Sequence, residues 1–216
     1  MASVGGQDDN NVIIWDLQNG KAVAGNSCAN LGYCCSFYNN DNSKLIVGGK
    51  YLLRVWEIDY NLRKMNSIDC ALGQIKRVTT CLLVDPNDEN VYAGTTSGDL
   101  LCVQLRGPKN FKYLGPKQKI TNGIVSLCFS PDANIVVGGG DGTLAVLNRE
   151  SLLKAKSISL MGGITSLSGR SNFFYIGTTE SVMYLLNYNK NLDATLLATC
   201  HSQRINDVAY PRYDDC

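Results

Sequence analysis

Ile124-Val125-Ser126-Leu127-Cys128-Phe129, Ser130-Pro131-Asp132-Ala133, Asn134-Ile135-Val136-Val137-Gly138, Gly139-Gly140-Asp141-Gly142, Thr143-Leu144-Ala145-Val146-Leu147-Asn148 is the stretch that decides the fold. It reads as an apolar strand, a Ser-Pro-Asp turn, a second strand, an Asp-Gly hairpin and a third strand. Glycine and Asp-Gly supply the positive φ that such tight connections need. Residues 153–160 follow with a more polar, alternating pattern that suits an outer strand. Four antiparallel strands, apolar within and amphipathic outside, make one blade of a propeller.

The glycine-ended phrase of this period occurs five times, at residues 2–5, 45–48, 91–94, 135–138 and 174–177. The shared glycines, Gly5, Gly48, Gly94, Gly138 and Gly177, are 43, 46, 44 and 39 residues apart. A second apolar run follows each within about ten residues, at 12–16, 54–57, 100–103, 144–147 and 183–186. The first two of these runs hold Trp15-Asp16 and Trp56-Glu57. A period of about 40–45 residues, made of short strands and a Trp-Asp ending, marks WD-type propeller blades. The fold class is therefore all-β, with about five blades' worth of four-stranded antiparallel sheet.

Residues 1–216 read as one WD-repeat propeller region: a partial blade at 2–31, blades at 32–75, 76–121, 122–162 and 163–203, then the first strand of a further blade at 204–211. Strands are expected at 33–37, 45–48, 54–58 and roughly 64–70 in the second blade, and at 78–84, 91–94, 99–105 and weakly 111–114 in the third. The fifth takes 164–167, 173–177, 182–188 and 194–200. The chain opens on the second strand of a blade and closes on a first strand, Ile205-Asn206-Asp207-Val208-Ala209-Tyr210-Pro211. Two outcomes fit: that last strand zips onto the opening three to close a five-bladed ring, or the chain is part of a larger seven-bladed or tandem propeller whose open ends another segment or chain covers.

A formal charge of +1, from 20 basic and 19 acidic side chains, offers no field for steering toward nucleic acid or an anionic membrane. The densest basic cluster, residues 109–119, is broken by Pro116 and apolar residues and reads as a solvated loop. No segment approaches the roughly 18 apolar residues that would span a bilayer, and the N-terminus lacks the pattern of a secretory signal, so the chain reads as intracellular. The nine cysteines are Cys28, Cys34, Cys35, Cys70, Cys81, Cys102, Cys128, Cys200 and Cys216; they form no Cys-x-x-Cys pair, and the single His201 completes no zinc set. Cys35, Cys81 and Cys128, 10 to 13 residues before a repeat glycine, are expected to recur at one innermost-strand position as small buried thiols.

Catalytic constellations are absent from the sequence: no Gly-x-Ser-x-Gly elbow and no phosphate loop ending in Gly-Lys-Ser/Thr. His201 sits where an outer strand passes to the next blade, a place for a structural or surface histidine. Some five-bladed propellers are glycosidases that use two carboxylates about 5–10 Å apart. Asp8, Asp9, Asp99, Asp141 and Glu180 lie on second-to-third-strand connections and are the candidates. Repetition of a turn that favours Asp explains them better. Asp16 and Glu57, after their tryptophans, read as blade architecture, and Tyr92, Tyr175 and Tyr184 as residues packed between blades. No catalytic, cofactor-binding or metal-ligating residue is assigned, and the chain reads as no enzyme.

Several phrases go beyond the generic repeat. Val4-Gly5-Gly6-Gln7-Asp8-Asp9-Asn10-Asn11-Val12-Ile13-Ile14-Trp15, Leu53-Arg54-Val55-Trp56-Glu57-Ile58-Asp59 with Asn61-Leu62-Arg63-Lys64, Gly73-Gln74-Ile75-Lys76-Arg77, Gly94-Thr95-Thr96-Ser97-Gly98-Asp99-Leu100, Gly162-Gly163-Ile164-Thr165-Ser166-Leu167 and Leu197-Ala198-Thr199-Cys200-His201 resemble, in one register, a ciliary WD-repeat family, that of cilia- and flagella-associated protein fifty-two, also called WD-repeat protein sixteen. The similarity is to the later part of that family's first propeller. It implies a non-enzymatic structural protein of the axoneme, from a family with two tandem seven-bladed propellers. Such a protein is a microtubule inner protein of the B-tubule of doublet microtubules near the inner junction, where it binds tubulin and neighbouring proteins and stabilises the doublet for motility. It implies a location in cytoplasm, cytoskeleton and the axoneme of cilium or flagellum, with no cofactor, nucleic acid or membrane partner. The other reading is a generic WD-repeat adaptor in a cytosolic complex.

Overall fold

A computed structural model describes residues 1–106, 118–189, 192–199 and 205–209. Every regular element among them is a strand, and the 18 strands form five separate antiparallel sheets in sequence order. The first sheet holds β1 (Ala2–Val4), β2 (Asn11–Asp16) and β3 (Lys21–Ser27). The second holds β4 (Gly32–Phe37), β5 (Lys44–Gly49), β6 (Leu52–Asp59) and β7 (Lys64–Asp69). The third holds β8 (Thr79–Val84), β9 (Asn90–Thr95) and β10 (Leu100–Gln104). The fourth holds β11 (Ile124–Phe129), β12 (Ile135–Gly139), β13 (Thr143–Leu147) and β14 (Lys154–Ser159). The fifth holds β15 (Ile164–Arg170), β16 (Phe173–Thr178), β17 (Met183–Asn187) and β18 (Asp193–Ala198). No helix among the described residues is long and apolar enough to cross a membrane.

The expected strand at 111–114, together with Cys200, His201 and Cys216, lies outside the described residues. The expected strand beginning at Ile205 does not form over residues 205–209, which carry no ladder. Ile205 nevertheless donates its N–H to Thr178 O at 3.3 Å and is only 7% exposed.

The chain divides into two compact units between the third and fourth sheets. One contains Met1–Thr96 and the rest of β10 from Leu101, the other Ser97–Leu100 and the described residues from 118 onward. In the first, Leu45 and Val47 of β5 pack with Val12, Ile14 and Trp56, while Ile46 between them packs on the other side with Val55, Val91 and Leu101. Successive side chains of a strand point to opposite faces, so a sheet covered on both sides needs an unbroken apolar run. In the second unit Val136, Leu144, Ile164, Phe174, Ile176 and Leu186 form the corresponding core.

The register explains the repeated glycine. Each of β4, β8, β11 and β15 carries an irregularity near its start, between Gly32 and Cys34, Thr79 and Cys81, Ile124 and Ser126, and Ile164 and Ser166. After it, Cys34, Cys81, Ser126 and Ser166 stand opposite Gly48, Gly94, Gly138 and Gly177. A Cβ on Gly48 would lie 2.6 Å from Thr79 Cγ2, one on Gly138 2.9 Å from Ile164 Cγ2, and one on Gly177 2.6 Å from Ile205 Cγ2. Each glycine thus admits the residue that follows its own blade, and Ile205 occupies the place that Thr79 and Ile164 take in their repeats. Gly5 differs: a Cβ there would meet the carboxylate of Asp9, and Gly32 is the close neighbour of Val4 instead.

The same register corrects the reading of the cysteines. Cys35 pairs with Val47, Cys81 with Gly94 and Cys128 with Val136, so the three occupy different repeat positions. The cause is the connection between the first two strands, whose length differs from blade to blade: the residue facing the repeat glycine stands 14 positions before it at Cys34, 13 at Cys81 and 12 at Ser126.

Candidate interaction surfaces

Of the carboxylates on the second-to-third-strand connections, Asp9 and Asp141 accept hydrogen bonds. Asp8 and Asp9 are exposed between β1 and β2, and Asp9 Oδ1 accepts the Asn11 N–H at 3.4 Å. Asp99 is 6% exposed, and its backbone forms an antiparallel β-bridge with that of Lys119. Asp141 accepts from Thr121 Oγ1 at 2.5 Å, Asn122 N at 2.9 Å and Thr143 N at 3.0 Å, which ties the β12–β13 hairpin to the segment before β11. Partial burial pushes its pKa up, but these hydrogen bonds outweigh burial and hold the carboxyl at about 2. A carboxyl so low is a poor general acid or base near neutrality. Glu180 lies against Gly162 in the β16–β17 turn. No group of three or more His, Cys, Asp or Glu side chains able to hold a metal ion occurs among the described residues.

The thiols are equally quiet. Burial pushes Cys81 up to about 11 and raises Cys34 and Cys128 further, leaving them protonated and weakly nucleophilic at neutral pH. The seven described cysteines, Cys28, Cys34, Cys35, Cys70, Cys81, Cys102 and Cys128, are free thiols.

Elsewhere polar side chains join neighbouring sheets. Asp88, 1% exposed in the β8–β9 turn, accepts the backbone N–H groups of Asn39 and Asn40 at 2.7 and 2.8 Å. Asn39 Nδ2 donates to Asp85 O at 2.8 Å, and Asn40 Nδ2 to Pro86 O at 2.7 Å. In the second unit Tyr188 donates its hydroxyl to Asp132 Oδ1 at 2.7 Å. Asp16, after Trp15, accepts from Gln18 N at 2.9 Å and Asn19 Nδ2 at 2.6 Å, a local turn as read from the sequence. Tyr92 is 1% exposed, and Tyr184 packs against the core of the second unit.

One concavity in the first unit is both charged and apolar. It has a volume of about 450 Å³ and lies among residues 29–30, the β5–β6 turn with the start of β6, and the segment 69–77. Leu53 and Cys70 are buried, and Leu72 and Ile75 pack against the core cluster they belong to. Arg54, Lys76 and Arg77 are the cations of its lining and Asp69 the single carboxylate. Arg54 and Asp69 are cross-strand partners, with Nε–Oδ1 at 2.6 Å and Nη2–Oδ2 at 3.1 Å. The guanidinium also lies 5.6 Å from the Trp56 ring, so it is held from two sides. Tyr51, 56% exposed with φ of 55°, forms part of the rim. The sequence reading singled out none of this as a site. The available signal was Arg54, a charge inside the apolar run Leu52-Leu53-Arg54-Val55-Trp56.

The family description "WD domain, G-beta repeat" matches residues 114–148. A solved β-propeller domain, that of Cps50 (Swd1) from Myceliophteria thermophila, superposes with a TM-score of 0.73 over 93% of this chain and 71% of that chain, at 13% identity. The chain is a WD-repeat protein built of antiparallel propeller blades. Its curated homologues across species share one name, Cilia- and flagella-associated protein 52: that of Chlamydomonas reinhardtii is 37% identical, that of Bos taurus 34% and that of Homo sapiens 33%, each over 98% of this chain. The chain spans about a third of the length of these relatives, 35% in each case.

Proposed function

We propose that this chain acts as a non-enzymatic structural protein of the axoneme in cilia and flagella. In this reading it is a microtubule inner protein whose blades bind tubulin and neighbouring proteins in the B-tubule of doublet microtubules near the inner junction. The observation that carries it is identity of 33–37% over 98% of the chain to ciliary and flagellar proteins of one name. The chemistry is consistent with a scaffold: Asp141 is committed to the Thr121 hydroxyl and the Asn122 and Thr143 N–H groups, and the Cys81 thiol is protonated. Rigid, twice-covered sheets that present short turns suit protein–protein contact.

Co-sedimentation tests the proposal. The chain is expected to pellet with salt-washed axonemal doublets and to be retained when soluble matrix proteins are washed away. A wholly soluble pool with no axonemal fraction overturns it and favours the cytosolic adaptor.

A further inference from the structure

We infer that Asn19, at the tip of the β2–β3 hairpin, is a site of spontaneous deamidation restrained by Asp16. The inference goes beyond the axonemal reading and does not rest on it. The sequence holds two Asn-Gly steps, Asn19-Gly20 and Asn122-Gly123. Asparagine is thermolabile, and a following glycine has no Cβ to shield its nitrogen. In the reaction hydroxide removes the Gly20 N–H proton, and the nitrogen attacks Asn19 Cγ. The new N–Cγ bond closes a succinimide ring, and the Cγ–Nδ2 bond breaks with release of ammonia. Water then adds at either ring carbonyl, leaving aspartate or isoaspartate in place of asparagine.

The fold sets the two steps apart. Residues 17–20 are all exposed, and Gly20 has a φ of 64°. Gly123 is half-buried, and its peptide is held on both sides: Asn122 donates its N–H to Asp141 Oδ2 at 2.9 Å, and Gly123 O accepts the Gly140 N–H at 2.9 Å. A Cβ on Gly98 would lie 3.1 Å from Gly123 N, so the backbone there has little room to swing onto the Asn122 amide. At the hairpin the restraint comes from one side chain. Asn19 Nδ2 donates to Asp16 Oδ2 at 2.6 Å, which fixes the amide, and the charge of that carboxylate opposes an anion at Gly20 N. Conversion replaces the donor by a second carboxylate beside Asp16, and the isoaspartate form also adds a methylene to the main chain of the turn. Both strain the Asp16–Lys21 pairing that starts β3.

The test incubates the full chain in mildly alkaline buffer and follows ammonia release, with peptide mapping and isoaspartyl methyltransferase labelling to locate the product. In the folded chain Asn19 is expected to convert about tenfold or more faster than Asn122, whose step is held by two hydrogen bonds. In urea the two steps are expected to convert at similar rates, which assigns the difference to the fold. Asp16→Ala is expected to speed conversion at Asn19 and to leave Asn122 unchanged, and Gly20→Ala to slow it. Asn19→Asp, which installs the product, is expected to speed amide hydrogen exchange at the start of β3 and not in β16. No conversion at Asn19 in the folded chain, conversion at Asn122 as fast as at Asn19, or an Asn19 rate that does not rise in Asp16→Ala overturns the inference.

Discussion

Trp15 and Trp56 hold the same place in two successive blades and differ in one hydrogen bond. Trp15 Nε1 donates to Ser3 Oγ at 2.7 Å, and Ser3 pairs with the residue two before the tryptophan, Ile13. Trp56 is 1% exposed, and its Nε1 has no hydrogen-bond partner among the described residues. The residue paired two before it, opposite Arg54, is Val47. An unpaired buried donor costs about 1–3 kcal/mol. Val47→Thr is nearly isosteric and sets a hydroxyl where Ser3 stands in the first sheet, so it is expected to stabilise the chain by about 1 kcal/mol, read in urea unfolding. Asp141 makes the matching case for pH. Its folded pKa of about 2 is below the reference value of 3.8, so its stabilisation is present above pH 3.8 and lost as pH falls toward 2. The melting advantage of the wild-type chain over Asp141→Asn is expected to shrink across that window.

At the scale of the element, the strands and hairpins are local matters and were legible. The fourth-blade strand at 124–129 is observed with those bounds, and the Asp-Gly hairpin turns at Gly142 with φ of 84°. What local reading missed was the irregularity at the start of β4, β8, β11 and β15, because an extra residue changes neither composition nor alternation enough to be seen. The supposed equivalence of Cys35, Cys81 and Cys128 fails for a separate reason, the unequal length of the connection from the first strand to the second in their blades. The glycine itself is a matter of strand-to-strand clearance. Gly138→Val sets a branched side chain where even a Cβ is 2.9 Å from Ile164 Cγ2, and it is expected to destabilise by about 2–3 kcal/mol. Gly6→Ala, with nothing within 4 Å, is expected to be nearly neutral in the same thermal-melting series.

For the whole molecule, the period of the glycines and the two Trp-Asp-like endings determined that the chain is all-β, made of repeated antiparallel blades, and its non-consensus phrases pointed to the ciliary relatives that match 98% of it. These were readable because turn chemistry and two-residue alternation act between residues a few positions apart. The glycine phrase could be recognised in this way without its cause being visible. Only the tertiary structure decided that Gly48, Gly138 and Gly177 are small because Thr79, Ile164 and Ile205 pack onto them. It alone left Trp56 Nε1 without a hydrogen-bond partner, tied Asp141 to Thr121 and Asn122, and assembled a charged groove from residues 29–30, 51–54 and 69–77. Each of these is a contact between segments many residues apart, set by strand register and by sheet packing on sheet, and no single stretch of sequence carries either.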